Sequence, residues 1–319
     1  MRRIILAAAL LGAAAQAFAH QVYPDHPVRI IVPTPPGGPV DVMARVLANA
    51  LPAQLGQNIY VENKPGAGNT IGSKMAAEAT PDGYTLMVSA ASGLIMSPMI
   101  YKTAGYDASS FAPVALIAEA PQLLVINASL PFKTLAELVG YAKANPGKLN
   151  YSTGGAGTLP HLAAELFKKE TGSNIVHVPY KGGGPALTGV VAGEVQMTFD
   201  PVATSLQLIR AGKLRALAVA SPRRVAQLPD VPTMAEQGYP SVAAGAWTAL
   251  LAPKATPSAI IAKLNAATNA ALHAEPMKST LAKLGAEPRG GTPQQLAEHM
   301  AKETRKWRPI VEALNLKPQ

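Results

Sequence analysis

The hydrophobic positions of the chain fall into short runs that are apolar on both sides, separated by longer amphipathic stretches. Ten of these runs have the length and composition of buried strands. They cover Val28–Val32, Ile59–Glu62, Thr85–Ser89, Pro113–Ala118, Leu123–Asn127, Leu149–Ser152, Ile175–Pro179, Val195–Phe199, Ala216–Ala220 and Thr248–Ala252. Such strands, alternating with helices, predict an α/β fold whose mostly parallel sheet is covered on both faces.

The first amphipathic stretch directly follows the first strand. One helix face is formed by Val40, Met43, Ala44, Leu47 and Leu51. Pro52 is expected to kink or end this helix. The five residues PPGGP, at positions 35–39, separate the strand from the helix, and Pro39 suits the first helical position.

Several later strands also end in small, flexible residues. The segments PGAGN at 65–69, AASG at 90–93, GGAGT at 154–158 and KGGGP at 181–185 follow strands, and most of them lead into a helix. Helices that start at the carboxyl ends of parallel strands direct unpaired N–H groups and partial positive charge into the ligand crevice. The pattern therefore predicts an anion site built from backbone amides, although tight turns alone would also explain any one such loop.

Composition and motifs narrow the classes of ligand. The chain has 319 residues, a formal charge of +9 and 5% aromatic residues, and its Lys and Arg residues are scattered singly. A nucleic-acid surface is not expected, since no basic stripe or stacking platform is present. The sequence has no P-loop, no convincing dinucleotide motif, no G-x-S-x-G elbow and no HExxH. We expect no enzyme, no metal site and no cofactor, and a carboxylate is the anion that fits.

The first 19 residues have the form of a secretory signal peptide. Arg2 and Arg3 are followed by the apolar run Ile4–Ala14 and by an A-x-A cleavage site at 17–19. The run is too short to span a bilayer, and no later stretch is long and apolar enough. Since the chain has no Cys, neither a lipid-anchored cysteine nor a disulfide can form. The sequence predicts a soluble, exported mature protein.

Two acidic residues, one at a helix start and one at a strand end, have two interpretations each. With Gly38 as N-cap, Asp41 is the third helical residue, where a carboxylate caps the helix start; it could also hold a ligand ammonium group or a water. Asp200 closes the segment VQMTFD before Pro201. It either faces the crevice or ends the strand as a turn residue.

Three other side chains are candidates for the same crevice. His161 follows the loop at 154–158, and it either donates to an anion or bonds to solvent or backbone at the helix start. Lys181, at a strand exit, either neutralises a carboxylate or is solvated. Trp247 either forms an apolar wall of the site or packs in the core.

Seven segments carry a family resemblance, in this order: VENKPGAGNTIG, ATPDGYTL, NPGKLNYSTGGAGT, IVHVPYKGGGPAL, AGKLRALAVASPRR, LPDVPTMAEQGYP and LLAPKATP. With them the chain resembles the Bug-type solute-binding receptors of tripartite tricarboxylate transporters over almost its whole mature length. The resemblance implies a type II periplasmic binding-protein fold: two α/β lobes, a hinge and an interlobe ligand cleft. Lobe I would comprise residues 20–120 and 245–319, and lobe II residues 121–244. The crossings would fall near Glu119–Leu123 and Tyr239–Trp247.

The resemblance also implies four ligand-binding loops, at Pro36–Asp41, Ser89–Ser92, Thr153–Thr158 and Tyr180–Gly183. With the candidates above, the predicted site comprises Pro36, Gly37, Gly38, Val40, Asp41, Ser89, Ala90, Ser92, Thr153, Gly154, Gly157, Thr158, His161, Tyr180, Lys181, Gly182, Asp200 and Trp247. Val40 departs from the family, which usually has Thr or Ser there. Thr34 stands where an aromatic residue is common.

The expected function is that of a periplasmic binding protein. A small mono- or dicarboxylate would be captured between the lobes and delivered to the membrane permease subunits of a tripartite transporter. The protein is expected to be a monomer with no nucleic-acid partner. A ligand-sensing receptor that docks on a membrane kinase is the alternative, and the sequence leaves both roles open.

Overall fold

A single strand of 17 residues, β4 at Phe111–Asn127, runs through the middle of the protein and takes part in both lobes. The computed structural model describes residues 23–316, and the predicted signal peptide lies outside them. The other strands are β1 Val28–Val32, β2 Ile59–Asn63, β3 Thr85–Ala90, β5 Asn150–Thr153, β6 Val176–Pro179, β7 Met197–Pro201, β8 Leu214–Val219, β9 Gly245–Pro253 and β10 Glu287–Gly290.

Helices cover both faces of the sheet. They are α1 Pro39–Ala50, α2 Pro52–Leu55, α3 Thr70–Ala77, α4 Ser97–Ile100, α5 Leu135–Ala144, α6 Leu159–Thr171, α7 Gly183–Ala192, α8 Val202–Arg210, α9 Ser258–Leu272, α10 Met277–Lys283 and α11 Pro293–Leu314. A π-helical turn, Ser92–Met96, precedes α4. Within residues 23–316, no helix has both the length and the apolar character needed to cross a bilayer.

The strand β4 corrects one sequence-based prediction. The sequence predicted two strands, Pro113–Ala118 and Leu123–Asn127, but the structure has one continuous strand. The residues between them stay extended because they are paired along the way: Glu119 lies opposite Trp247 and Gln122 lies opposite Pro201. The short and polar β10, which the sequence analysis missed, also pairs with β4.

The sheet is mixed, whereas a mostly parallel sheet was predicted. Strands β2, β1 and β3 are parallel in one lobe, and β6, β5 and β7 are parallel in the other. Every pairing that involves β4 or β9 is antiparallel. The reason is that the chain passes from lobe to lobe through β4 and enters lobe I again as β9.

The two lobes meet where β4 changes partners. Pro121 is the last β4 residue paired with β9, opposite Gly245, and the next residue pairs with β7. On the return path, the N–H of Ala244 donates to the carbonyl of Ala220 at 2.9 Å. These pairings agree with the predicted boundaries at 120/121 and 244/245, which stay a prediction.

Helix α11 packs across both lobes. It contacts β4, the π-helical turn of lobe I and α6 of lobe II. One buried cluster extends across the lobes on this side, with Met87 from lobe I, Tyr151 from lobe II and Trp307 from α11. Two other buried clusters are each confined to one lobe. The lobes are therefore joined by shared apolar packing as well as by β4.

A buried ionic group fixes α11 to the crossing. The Glu303 side chain accepts hydrogen bonds from the indole N–H groups of Trp247, at 3.1 Å, and Trp307, at 2.8 Å. Lys306 forms an ion pair with the same carboxylate and donates to the carbonyl of Ala243 at 2.7 Å. We call Trp247, Glu303, Lys306 and Trp307 the hinge cluster. It ties one helix to the start of β9.

We expect Glu303→Ala to destabilise the protein by about 3–5 kcal/mol, because it leaves a largely buried ammonium without its counter-charge and two buried indole N–H groups without an acceptor. Glu303→Gln, which keeps one acceptor oxygen, should cost less. Urea unfolding followed by circular dichroism measures the loss. The matched control is Glu236→Ala, which removes an exposed pair with Arg224 and the bond from the Thr233 N–H, and should cost less than Glu303→Ala. Equal losses in the two alanine variants would contradict a structural role for the hinge cluster.

Candidate functional site

The first loop of lobe I is held by one buried carboxylate. Gly38 is the N-cap of α1, as predicted, and Pro39 is its first residue. The Asp41 carboxylate turns back and accepts the N–H of Gly37 at 2.8 Å. Gly37 has a φ of 84°, a conformation that favours glycine. Asp41 therefore caps the helix start, as one of its two interpretations predicted, and the N–H that it accepts belongs to the residue before the N-cap.

Two further residues compensate the charge of Asp41. Arg45 Nε donates to Oδ2 at 3.0 Å, and Asn63 Nδ2 donates to Oδ1 at 2.8 Å. Burial alone would raise the pKa of the Asp41 carboxyl, but the bonds from Arg45, Gly37 and Asn63 outweigh burial and lower that pKa. The sequence analysis missed both residues. Arg45 lies four positions after Asp41, a spacing that could have revealed it.

The start of α1 leaves backbone donors unpaired. Pro39 has no N–H, and the N–H groups of Val40 and Asp41 have no acceptor among residues 23–316. The first intrahelical bond runs from the Val42 N–H to the Gly38 carbonyl at 2.9 Å. Because Arg45 pairs with the negative charge of Asp41, that charge does not cancel the partial positive charge of the helix start.

The second predicted loop of lobe I lies after β3. Ser89 is 1% exposed, and its hydroxyl donates to the carbonyl of Ala90 at 3.2 Å. A Cβ at Gly93 would lie 2.9 Å from Ser89 Oγ and 3.2 Å from Asn69 Cβ, so the loop packs closely on the turn after β2. Ser92 begins the π-helical turn and is exposed.

The lobe II loops after β5 and β6 lie against each other. The Tyr180 N–H donates to the Thr153 carbonyl at 2.9 Å. A Cβ at Gly154 would lie 2.8 Å from the backbone nitrogen of Gly183, so only glycine permits this approach. Thr158 is the N-cap of α6, and its hydroxyl donates to the Gly155 carbonyl at 2.8 Å. These contacts gather the predicted lobe II loops at one edge of the sheet.

His161 lies beneath this edge and is 4% exposed. Its Nδ1 accepts the N–H of Gly157 at 3.0 Å, and its ring stacks on His177 at 4.1 Å. Burial first, and then the neighbouring His177, lower the pKa of His161 to about 4. The ring is therefore neutral at pH 7, and Nε2 carries the proton. No acceptor for Nε2 is present in the described part of the chain.

Asp200 and Tyr180 have partners within lobe II. The Asp200 carboxylate accepts the hydroxyls of Thr204 and Ser205, the latter at 2.6 Å, and so fixes the start of α8. Burial raises the pKa of this carboxyl. The Tyr180 hydroxyl donates to Glu194 at 3.0 Å, which turns its ring along α7. Both side chains have structural roles in this conformation.

Lys181 lies in the loop after β6, whereas Trp247 lies in the core near the lobe crossing. Lys181 is exposed and makes no hydrogen bond or ion pair within residues 23–316. Trp247 is 1% exposed and belongs to the hinge cluster, so it packs in the core and does not form a wall of the predicted site. The sequence around Trp247 does not show whether this residue packs in the core or lines the site, because its partners on α11 are more than 50 residues away.

One contact links the lobe II loops to other parts of the protein. A Cβ at Gly157 would lie 3.3 Å from Leu316 Cδ1 and 3.5 Å from Ile100 Cδ1. The loop before α6 therefore lies against the end of α4 in lobe I and against the chain after α11. Among the described residues, no group of three or more His, Cys, Asp or Glu side chains could hold a metal ion.

A family model that matches most of the chain describes a receptor. A family model described as "Tripartite tricarboxylate transporter family receptor" matches residues 43–316. Protein BugT of Bordetella pertussis is 41% identical over 295 residues, which cover 91% of this chain and 89% of BugT.

Solved structures of similar proteins cover nearly the whole chain. The R. palustris protein Rpa4515 with adipate is 35% identical, with a TM-score of 0.73, and the match covers 93% of this chain and 100% of that one. MatC from Rhodopseudomonas palustris, with bound malate, is 35% identical with a TM-score of 0.70, covering 91% and 100%. A TctC solute-binding protein from Polaromonas, without ligand, is 28% identical with a TM-score of 0.84, covering 91% and 99%.

We expect Asp41→Asn to destabilise the protein by about 2 kcal/mol near neutral pH, through loss of the charge on its hydrogen bonds. Since the folded pKa of Asp41 lies below its unfolded value of about 3.9, the difference from the wild type should be full above that pH. It should disappear as pH falls through the folded pKa. Urea unfolding between pH 3 and 8 measures it. Asp230→Asn, at an exposed position, is the control and should change stability by less than about 0.5 kcal/mol.

His161 should make the fold sensitive to acid. Its folded pKa lies below the unfolded value of about 6.5, so the unfolded chain binds more protons, and stability should fall between pH 6.5 and 4. We expect His161→Asn to flatten this part of the unfolding free energy against pH, by up to about 2 kcal/mol at pH 5. His273→Asn, at an exposed position, should leave the slope unchanged. Identical slopes in wild type and His161→Asn would show that His161 is not held neutral.

Proposed function

This chain belongs to the tripartite tricarboxylate transporter family of receptors, and we propose that it captures a small mono- or dicarboxylate between its two lobes. Members of this family that are similar in structure are solute-binding proteins rather than enzymes. The fold has two α/β lobes, and each lobe has loops at the carboxyl ends of its parallel strands.

The observation that carries the proposal is a set of unpaired backbone donors on both lobes. The N–H groups of Val40 and Asp41 begin α1, those of Leu159 and His161 begin α6, and that of Gly183 begins α7. None of these five has an acceptor among residues 23–316. Helix starts favour anions, and a carboxylate can accept from two sides at once.

The magnitudes suit a receptor of about micromolar affinity. Each hydrogen bond to a charged group contributes about 1.5–3 kcal/mol, and association itself costs several kcal/mol. Several such bonds, shared between the lobes, are needed to reach roughly −8 kcal/mol, which corresponds to 1 µM. Either lobe alone would offer fewer, so the ligand should favour the closed arrangement of the lobes.

The neighbouring structures support this scheme. The proteins with adipate and malate give TM-scores of 0.73 and 0.70, whereas the ligand-free Polaromonas protein gives 0.84 at lower sequence identity. Adipate and malate are both small dicarboxylates, and so belong to the ligand class proposed for this chain. Capture would then proceed by hinge closure at the crossing in β4.

We propose that backbone atoms of the four loops contact the ligand, with the His161 Nε2–H as a side-chain donor from lobe II. Lys181 is free to approach a carboxylate on closure. Asp200 and Trp247 are left out, because both are committed to structural partners. Val40 supplies no hydroxyl to the ligand, so its backbone N–H is its contribution.

Transport completes the proposal. The predicted signal peptide would direct the chain to the periplasm and be removed near Ala19, leaving a monomer that delivers its ligand to the membrane permease subunits of a tripartite transporter. The family description names such a transporter. Ligand-dependent co-purification with permease subunits tests this step, and ligand-dependent co-purification with a membrane kinase instead would favour the sensing role.

The sharpest variant is Gly38→Val. A Cβ at Gly38 would meet only the Pro35 carbonyl, at 3.7 Å, and φ is −74°, so the fold should tolerate the substitution. The larger side chain should keep a carboxylate away from the start of α1, and we expect at least a tenfold loss of affinity by calorimetry. Gly140→Val, on the exposed side of α5 with open space around its Cβ, is the matched control and should bind as the wild type does.

A thermal-shift screen with adipate, malate and related mono- and dicarboxylates identifies the ligand for this test. At about 100 times Kd, a site should add about 2.7 kcal/mol of stability. Unchanged binding in Gly38→Val would remove the first loop from the site. A shift with sugars or amines and none with any carboxylate would overturn the proposed ligand class.

A further inference from the structure

A groove of about 750 Å³ lies between α11 and the segment that contains the π-helical turn and α4. Its floor is buried and apolar, formed by Leu94, Ile95, Phe111 and Met300. None of the residues of the proposed carboxylate site lines it. We infer that this groove, which we call the α11 groove, is a second binding site for an amphipathic anion, a molecule with an apolar body and one carboxylate or sulfonate head.

Helix α11 leaves the groove open through small residues on one stripe. Ala297 and Ala301 line the groove, one turn apart, while the opposite face of the helix buries Trp307 and Ile310 in the core. Larger residues at the two alanine positions would fill the space. The volume lies within the range of about 300–1,000 Å³ that is usual for small-molecule pockets, as does an apolar lining with few polar groups.

The charges at the mouth select the kind of head group. Arg305 and Arg308 line the groove, are exposed, and form no ion pair with any carboxylate in residues 23–316. Guanidinium groups bind carboxylates and sulfonates through two parallel hydrogen bonds, and their alkyl stems can cover apolar surface. Two arginines without acidic partners therefore provide a site for one anionic head.

Two carboxylates also line the groove, and they restrict where the head can lie. Asp107 already accepts the N–H of Ser109 at 2.8 Å and its hydroxyl at 2.6 Å, within its own helical turn. Glu312 is one turn beyond Arg308 and two turns, about 10 Å, beyond Arg305. Glu312 would therefore repel an anion less at Arg305 than at Arg308. The apolar body would then extend from Arg305 over Met300 and Leu94 to the floor.

The floor of the groove belongs to an element of the carboxylate site. Leu94 and Ile95 lie in the π-helical turn that begins at Ser92, the end of the second predicted ligand loop. π-Helical turns are rare and are often found at functional positions. A ligand in the α11 groove would thus contact a segment whose first residue belongs to the second predicted ligand loop.

The test uses the mature chain with decanoate, below its micelle concentration, and calorimetry. We expect the wild type to bind one decanoate per protein molecule. Ala301→Trp should bind decanoate at least tenfold more weakly, because the larger side chain at this exposed position fills the groove. The double variant Arg305→Gln with Arg308→Gln should lose about tenfold, the effect of one lost charge-assisted bond. The control Arg210→Gln, at an exposed position of α8, should bind as the wild type does. 1-Decanol should bind more weakly than decanoate.

The Gly38→Val variant separates this inference from the proposed function. If decanoate binds in the α11 groove, Gly38→Val should retain it while losing short dicarboxylates. Loss of decanoate in Gly38→Val but not in Ala301→Trp would place it in the cleft and overturn the inference. Equal binding of 1-decanol and decanoate would overturn the anionic head, and equal binding by Ala301→Trp and the wild type would overturn the groove as a site.

Discussion

Unpaired backbone N–H groups at the starts of helices are the constraint on which the rest of this structure depends. Each lobe has parallel strands whose carboxyl ends lie at one edge, and the helices that follow begin there with donors that no part of residues 23–316 accepts. Such donors cost free energy unless water or a ligand pairs with them. In the proposed site, the pairing of Asp41 with Arg45 and the neutral ring of His161 would leave these donors to an anionic ligand.

The two halves of the molecule are joined more tightly than a flexible linker would join them. Strand β4 stays paired on both sides of the crossing, α11 packs on both lobes, and Glu303 binds groups from β9 and from its own helix. Motion between the lobes therefore has to be a bend of paired strands rather than a rearrangement of loops. A hinge of this kind would limit the lobes to few arrangements, as the proposed capture by lobe closure requires.

The sequence predicted local features well and distant ones poorly. Strand β1, the N-cap at Gly38 and the end of α1 before Pro52 follow from residues that are neighbours in the chain. Pro121 looks like a strand break, yet β4 continues through it because β7 and β9 pair on either side. The same limit explains Trp247 and Asn63, whose partners lie 56 and 22 residues away. Whether a single Trp or Asn side chain faces the core, the site or solvent is decided by tertiary packing, and a local sequence pattern does not predict it.

In a site made mainly of backbone groups, the groups that bind the carboxylate differ from the groups that determine ligand specificity. Backbone donors do not depend on side-chain identity, so they can bind any carboxylate. The chain length and polarity of the ligand must therefore be recognised by the few side chains nearby. Val40 offers no hydroxyl, where the resemblance implies Thr or Ser, and the Thr34 hydroxyl is buried without a partner in the described chain. A buried hydroxyl without a partner costs about 1–3 kcal/mol, so a ligand or water that pairs with it is favoured.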